Sequence, residues 1–369
     1  MRSEASNNFT LPYANIKKNV TLDGMKSRAK EQVRIAGLLA LLLILSAGSF
    51  LFWKDKFTPA LSPIEQTLPL TQEGPREPEP EIFTLMFVGD IMLNRGVSSM
   101  VNTKGNEDWR WPFFLITEEL KRADFLFGNL ESVISDKGAR VGSAYSFRAD
   151  PASLQGLLYA GFDMVSAANN HSMDYTGIAL ADSFNRLNEA GIQYAGAGTT
   201  REEAHSPAVF KLPDGTALGI LAYTAVGSAA WEAGEANSGI AWMDSSRLDI
   251  LQTDITQAKK EADILIVSFH FGEEYQKTPG DLQRELAEAA INEGTQLVIG
   301  HHSHVVQPIE RYKDGWIAYS LGNFVFDQEF SEETMRGTIL QVEVQDKKIQ
   351  KVELVPTKQN SAFQAEFAE

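Results

Sequence analysis

From residue 83 onward the chain repeats one arrangement: a short apolar run that stops on small or polar residues, then an amphipathic stretch, then another run. FTLMFVGD stops at Gly89-Asp90, DFLFGNLE at Asn129 and Glu131, and FDMVSAANNH at Asn170 and His171. DILIVSFHFG stops at His270, and QLVIGHHSH runs straight into three histidines. Runs of this length bounded by turn residues read as buried strands, and the stretches 111–122, 151–160, 176–190, 247–262 and 281–293 read as helices. Such alternation predicts an α/β fold whose ligands gather beyond the carboxyl ends of the strands. PAVFKLPDGTALGILAYTA departs from the pattern, with two strands about Pro213-Asp214-Gly215, a hairpin that opens an antiparallel part. Further hairpins are expected about Lys313-Asp314-Gly315 and Gln345-Asp346-Lys347. Two facing sheets flanked by helices follow from this.

The segment ahead of these runs obeys a different logic. Residues 35–53, IAGLLALLLILSAGSFLFW, carry no charge and are long enough to cross a bilayer core as a helix. Lys17, Lys18, Lys26, Arg28, Lys30 and Arg34 precede them, which by the positive-inside rule keeps the N-terminus cytoplasmic and sends the remainder outward. The small residues Ser46 to Ser49 resemble a cleavage site, but apolar Phe50 to Trp53 follow, so the reading is an uncleaved anchor. Residues 54–81 are rich in proline and glutamate and cannot bury a core, which makes them an extended stalk. The expected organisation is a basic cytoplasmic tail (1–34), a transmembrane anchor (35–53), a stalk (54–81) and one extracytoplasmic domain (82–369).

A net charge of −16 excludes a nucleic-acid surface, which needs a basic face to neutralise phosphates. The absence of cysteine excludes disulfides and thiolate ligands, so a bound metal must use oxygen and nitrogen donors. That set suits manganese, iron, zinc or magnesium.

The histidines carry the strongest signal. His302 and His304 are alternate residues just past a strand end, placed to point the same way toward one ion. The plainer reading is a hydrogen-bonded loop, and a lone strand-end Asp is usually a turn or cap. His270 and Asn170-His171 tip the balance, because independent strands bring the same ligand types to one edge. Asp90 and Glu131 supply the negative charge a divalent ion requires.

Several motifs in order carry a resemblance: GDIMLNR at 89–95, GNLE at 128–131, NNHSMDY at 169–175, HFGEEY at 270–275, GHHSHVVQ at 300–307 and YSLGNFVFDQ at 319–328. Together they resemble the poly-γ-glutamate capsule synthesis protein (CapA) family, itself similar to the calcineurin-like metallophosphatases. The resemblance implies a four-layer α/β/β/α sandwich of the metallophosphatase type and one or two divalent ions. It implies Asp90, Asn129, Glu131, Asn170, His270, His302 and His304 as metal-binding residues, with His171 contacting the reacting group. Met92 stands where the phosphatase pattern has a histidine, and Asn129 where it has the bridging aspartate, with Glu131 able to supply the lost charge. His301 is an alternative to His302. Arg95 is a candidate for holding an anionic substrate, against the plainer reading of a surface arginine. Asp174, Glu273, Glu274 and Asn323 are expected to orient the imidazoles or their loops, and His205 is expected at the surface.

The implied role is in making, exporting or anchoring poly-γ-glutamate at the outer membrane face, with the bilayer, the polymer and membrane-embedded synthetase subunits as partners. A metal-dependent hydrolase of phosphoesters or amides unrelated to capsule, and a non-catalytic scaffold for the synthetase, are the competing readings.

Overall fold

The structure, a computed structural model, describes residues 81–368. The expected basic tail, the apolar segment 35–53 and nearly all of the stalk lie outside the described residues, among which no helix is long and apolar enough to cross a membrane. Its strands of three residues or more are β1 (Phe83–Ile91), β2 (Phe125–Leu130), β3 (Met164–Ser166), β4 (Gln193–Ala195), β5 (Ala208–Lys211), β6 (Ala217–Thr224) and β7 (Ile264–His270). They continue with β8 (Leu297–His301), β9 (Ile309–Tyr312), β10 (Gly315–Ala318), β11 (Asn323–Val325), β12 (Arg336–Gln345), β13 (Lys348–Gln359) and β14 (Ala365–Phe367).

The first sheet runs β14-β13-β12-β1-β2-β3-β4, with β11 also on β1; the second runs β9-β10-β8-β7-β6-β5. β1 shows why the layers form. Its residues alternate between two cores, so both faces must be covered. Phe83, Leu85 and Phe87 meet Phe125, Phe127, Ile220, Ile266, Ile299 and Leu340 in the core between the sheets. Met86 and Val88 point the other way, to a core shared with Val97 and Val101 of α1 (Arg95–Thr103) and Leu157 of α2 (Leu154–Ala160). Burying one such side chain contributes about 1.5–3 kcal/mol. The second sheet is covered on its outer face by α4 (Leu248–Ala258) and α5 (Asp281–Asn292), through Leu251, Ile255, Leu286 and Ala290. α3 (Thr176–Glu189) packs Ala179, Leu180 and Phe184 into a smaller cluster with Val133 and Ile240.

Both expected sheets are present, with three differences. No single helix spans 111–122: a 3-10 turn at Trp111–Phe113 and one helical turn at Thr117–Leu120 stand there. The run from Trp111 to Ile116 is apolar at every position and offers no one-sided stripe, and the Thr117 hydroxyl donates to the Phe113 carbonyl at 2.7 Å. The hairpin of β5 and β6 is antiparallel as expected, but β6 continues into a parallel pairing with β7, so the second sheet is mixed. The helix expected at 247–262 ends at Ala258.

α3 is tied to the segment before it by one carboxylate. Asp182 accepts from Ser135 Oγ (2.7 Å), Lys137 Nζ (2.6 Å) and Arg186 Nε (2.8 Å). Burial pushes its carboxyl up, but Lys137, Ser135 and Arg186 outweigh burial and hold it at about 2, against an ordinary value of 3.8. A carboxylate depressed in the folded state stabilises fully above its unfolded value, and that contribution disappears as pH falls toward the folded one. Asp182→Asn is therefore expected to lower stability at pH 7 by about 1–2 kcal/mol, Lys137 being largely solvent-screened. It should also flatten the loss of stability between about pH 4 and pH 2. Urea unfolding across that range checks it, and identical acid limbs in the two chains would rule it out.

Candidate metal centre

β1, β2 and β3 run parallel, as do β6, β7 and β8, so each sheet lines up its carboxyl ends. Register pairs Asp90 with Asn129, Asn129 with Ser166, and His270 with His301. β11 lies parallel to β1 with Asn323 opposite Asp90. Asp90, Asn129, Glu131, His270, His301, His302, His304 and Asn323 are all at least 95% buried, on one edge shared by the sheets.

Two groups of donors lie close enough for a cation. The ligand atoms of Glu131, His302 and His304 are within 4.8 Å of one another, and so are those of Asp90, Glu131 and His270. His304 Nδ1 is 2.9 Å from Asn323 Oδ1 and 3.3 Å from Asp90 Oδ2, and its Nε2 is 3.7 Å from Glu131 Oε1. His301 Nδ1 lies 3.5 Å from Asp90 Oδ1. His301 and His302 thus both turn inward, His301 against Asp90 and His302 into the cluster with Glu131. Strand alternation does not bring this about, because β8 ends at His301. His302 and His304 take left-handed backbone angles instead, with φ of +89° and +56°. Such strain costs about 1–3 kcal/mol at each non-glycine residue and gathers at functional sites.

The residues fit a divalent cation. Glu131 Oε1 and His302 Nδ1 are buried with no hydrogen-bond partner, and both ring nitrogens of His301 are in the same condition. Orphaned polar atoms of this kind are rare in folded proteins. Burial and the charges of Asp90 and Glu274 push Glu131 well above the usual carboxyl range. Burial and neighbouring imidazoles hold His270 well below its ordinary value and bring His302 down to about 3. Burial raises Asp90, yet His301 and His304 outweigh it and keep that carboxyl well below its ordinary value. Imidazoles kept neutral are in the form that ligates, and a cation reverses the destabilisation of the Glu131 carboxylate.

His171 stands at the mouth, its side chain 12% exposed. Its Nδ1 donates to Asp174 Oδ2 at 2.7 Å, and that oxygen also accepts the Phe147 backbone N–H at 2.7 Å. The Phe147 ring stacks on the imidazole, centroids 3.8 Å apart. Nε2 is left facing inward, 3.7 Å from Glu131 Oε1. The pairing orients the ring as a carboxylate orients a proton-transferring histidine.

Most expected residues meet here, and the exceptions have physical reasons. Asn170 approaches through His270, whose Nε2 is 2.8 Å from Asn170 Oδ1. Arg95 reaches the rim, but Asp327 holds its guanidinium through Nε and a terminal nitrogen while Phe147 lies under it, so its charge is largely neutralised. Asp174 and Asn323 each hydrogen-bond an imidazole, that of His171 and that of His304. Glu273 and Glu274 do not: both are exposed, and neither hydrogen-bonds an imidazole among the described residues. Met92 is core, its sulfur accepting the Asn94 N–H at 3.2 Å. His205 is buried rather than on the surface, its Nδ1 2.7 Å from Asp254 and its Nε2 3.3 Å from Glu232. Asn169 and Phe147 belong to the site but were not expected there; Asn169 stood inside the NNH motif, whereas nothing around Phe147 marked it.

The sequence model of the family described as bacterial capsule synthesis protein PGA_cap matches residues 84–328. The PGA biosynthesis protein CapA of Bacillus subtilis is 32% identical over 251 residues, 67% of this chain and 64% of that protein. The capsule biosynthesis protein CapA of Bacillus anthracis is 30% identical over 339 residues, 90% of this chain and 77% of that protein. The chain thus spans less than two thirds of the first relative and about three quarters of the second. A novel phosphatase from Mycoplasma pneumoniae has a similar solved structure at 14% identity and a TM-score of 0.46, covering 75% of this chain and 94% of that one, a likeness too low to bear weight. On the family match and the Bacillus anthracis relative, the chain belongs to the bacterial capsule synthesis protein family PGA_cap.

Proposed function

We propose that this chain is a membrane-anchored protein of poly-γ-glutamate capsule synthesis, export or anchoring, whose outer domain, a metallophosphatase-type α/β/β/α sandwich, works through a bound divalent cation. The observation that carries the metal-dependent part is the set of buried, unpartnered donors Glu131 Oε1 and His302 Nδ1 beside His304. The capsule part rests on family membership and on the names of the Bacillus relatives. The anchor rests on the uncharged segment 35–53 behind its basic flank. Synthetase subunits as partners are supported by a relative from Mycobacterium tuberculosis named a probable polyglutamine synthesis accessory protein.

A divalent cation held there supplies polarisation of a carbonyl or phosphoryl oxygen and activation of water. Nitrogen and oxygen donors suit manganese, iron, zinc or magnesium. The protein's own contribution is to keep His270 and His302 unprotonated, to exclude bulk water by burial, and to present His171 Nε2 as a proton carrier aligned by Asp174 and Phe147.

The test is complementation of a host lacking this chain. Wild type should restore cell-associated poly-γ-glutamate, while His302→Ala, present in the membrane at equal amount, should restore less than a tenth of it, given the loss typical of disrupted metal sites. Full restoration by His302→Ala would leave a scaffold role in place of a metal-dependent one. Unchanged polymer in the host lacking the chain would remove the capsule reading.

A further inference from the structure

One of the two donor groups is already filled by a side chain of the protein. Asn129 Nδ2 lies 2.8 Å from Asp90 Oδ1, 3.2 Å from His270 Nδ1 and 3.4 Å from Glu131 Oε2, so it faces every residue of the Asp90, Glu131 and His270 group. The end of the amide that points inward is fixed by neighbours whose polarity has no alternative. The Leu130 carbonyl can only accept and the His171 backbone N–H can only donate. Asn169 donates Nδ2 to the first at 2.9 Å and accepts the second on Oδ1 at 3.1 Å, which fixes its own orientation. Asn169 Nδ2 also donates to Asn129 Oδ1 at 3.2 Å, leaving the Asn129 nitrogen to face the cluster. His270 completes the set, with Nδ1 accepting from Asn129 and Nε2 donating to Asn170 Oδ1 at 2.8 Å. The atoms of that group that face Asn129, Asp90 Oδ1, Glu131 Oε2 and His270 Nδ1, are satisfied by hydrogen bonds, whereas Glu131 Oε1 and His302 Nδ1, which face the other, are not.

We infer that this chain holds a single divalent cation, at Glu131, His302 and His304, and that the Asn129 amide occupies the place of a second, so that Asn129→Asp opens a second site. The inference rests on the metal-dependent reading above. An amide nitrogen offers two hydrogens and no lone pair to a cation, so while it points inward it excludes one. An aspartate there would put three carboxylates together, an arrangement that a cation relieves.

The experiment counts Mn²⁺ bound to the purified full-length chain, by equilibrium dialysis with elemental analysis and by electron paramagnetic resonance. One equivalent with an uncoupled spectrum is expected for the wild type, and two equivalents with a spin-coupled spectrum for Asn129→Asp. His302→Ala should lose the single ion and His270→Ala should keep it, a comparison that decides the matter even if Asn129→Asp fails to fold. Two equivalents in the wild type, one in a folded Asn129→Asp, or loss of the ion in His270→Ala would overturn the inference while leaving a metal-dependent function standing. No Mn²⁺ in the wild type would overturn both.

Discussion

Replacing Gly89 by alanine is expected to force β11 away from β1 and to disorder the His304 imidazole. A Cβ on Gly89 would lie 1.8 Å from the Gly322 carbonyl oxygen and 2.8 Å from its carbon, and backbone cannot swing aside as a side-chain tip can. That same carbonyl accepts the Asp90 N–H at 3.0 Å, so the contact and the hydrogen bond must fail together. Overpacking in a rigid core costs about 1–3 kcal/mol and losing a buried hydrogen bond about 1 kcal/mol more, so a loss on the order of 3 kcal/mol is expected. The damage reaches the site because Asn323, the residue after Gly322, holds His304 Nδ1 at 2.9 Å. The urea unfolding midpoint and Mn²⁺ affinity should fall together. A variant with a wild-type midpoint would show that the two backbones have room to separate.

Gly89 illustrates what the sequence makes legible. The strands could be read because β1, β2, β7 and β8 are buried almost throughout, which demands near-continuous apolar runs, and because each stops where its polar residues begin. The meeting of Asp90, Glu131 and the histidines follows from parallel pairing, since parallel strands align their carboxyl ends. Where signals were weaker, tertiary contacts decided. The run from Trp111 to Ile116 has no amphipathic period, so burial of Phe113 and Ile116 outweighed helix formation. His205 gave no pattern to read, because the carboxylates that bury it come from Asp254 and Glu232, distant in sequence.

Within the site, residue types were legible and orientations were not. The choice between His301 and His302 turned on left-handed backbone at His302 and His304, which no propensity signals in a histidine. The direction of the Asn129 amide depends on Asn169, forty positions on, and through it on two backbone groups. Arg95 looked available for an anion, but Asp327 holds it from 232 residues away. Spacing brings a residue to the edge, and the hydrogen-bond partners then decide what it does there.

His171 separates holding a cation from using one. It belongs to neither donor group, its Nδ1 is engaged by Asp174, and Phe147 covers one ring face. His171→Ala is therefore expected to retain wild-type Mn²⁺ content. A positioned proton carrier contributes about 10²–10⁴-fold to a chemical step, so polymer accumulation in the complemented host should fall by at least about tenfold even where that step is only partly limiting. Asp174→Asn should keep the ring in place but weaken its orientation, for a loss smaller than that of His171→Ala. A scaffold predicts that polymer, like metal content, is indifferent to His171. Wild-type accumulation in His171→Ala with the ion still bound would assign the cation to holding the strand ends together, since the one side chain aligned to move a proton beside it would then be dispensable.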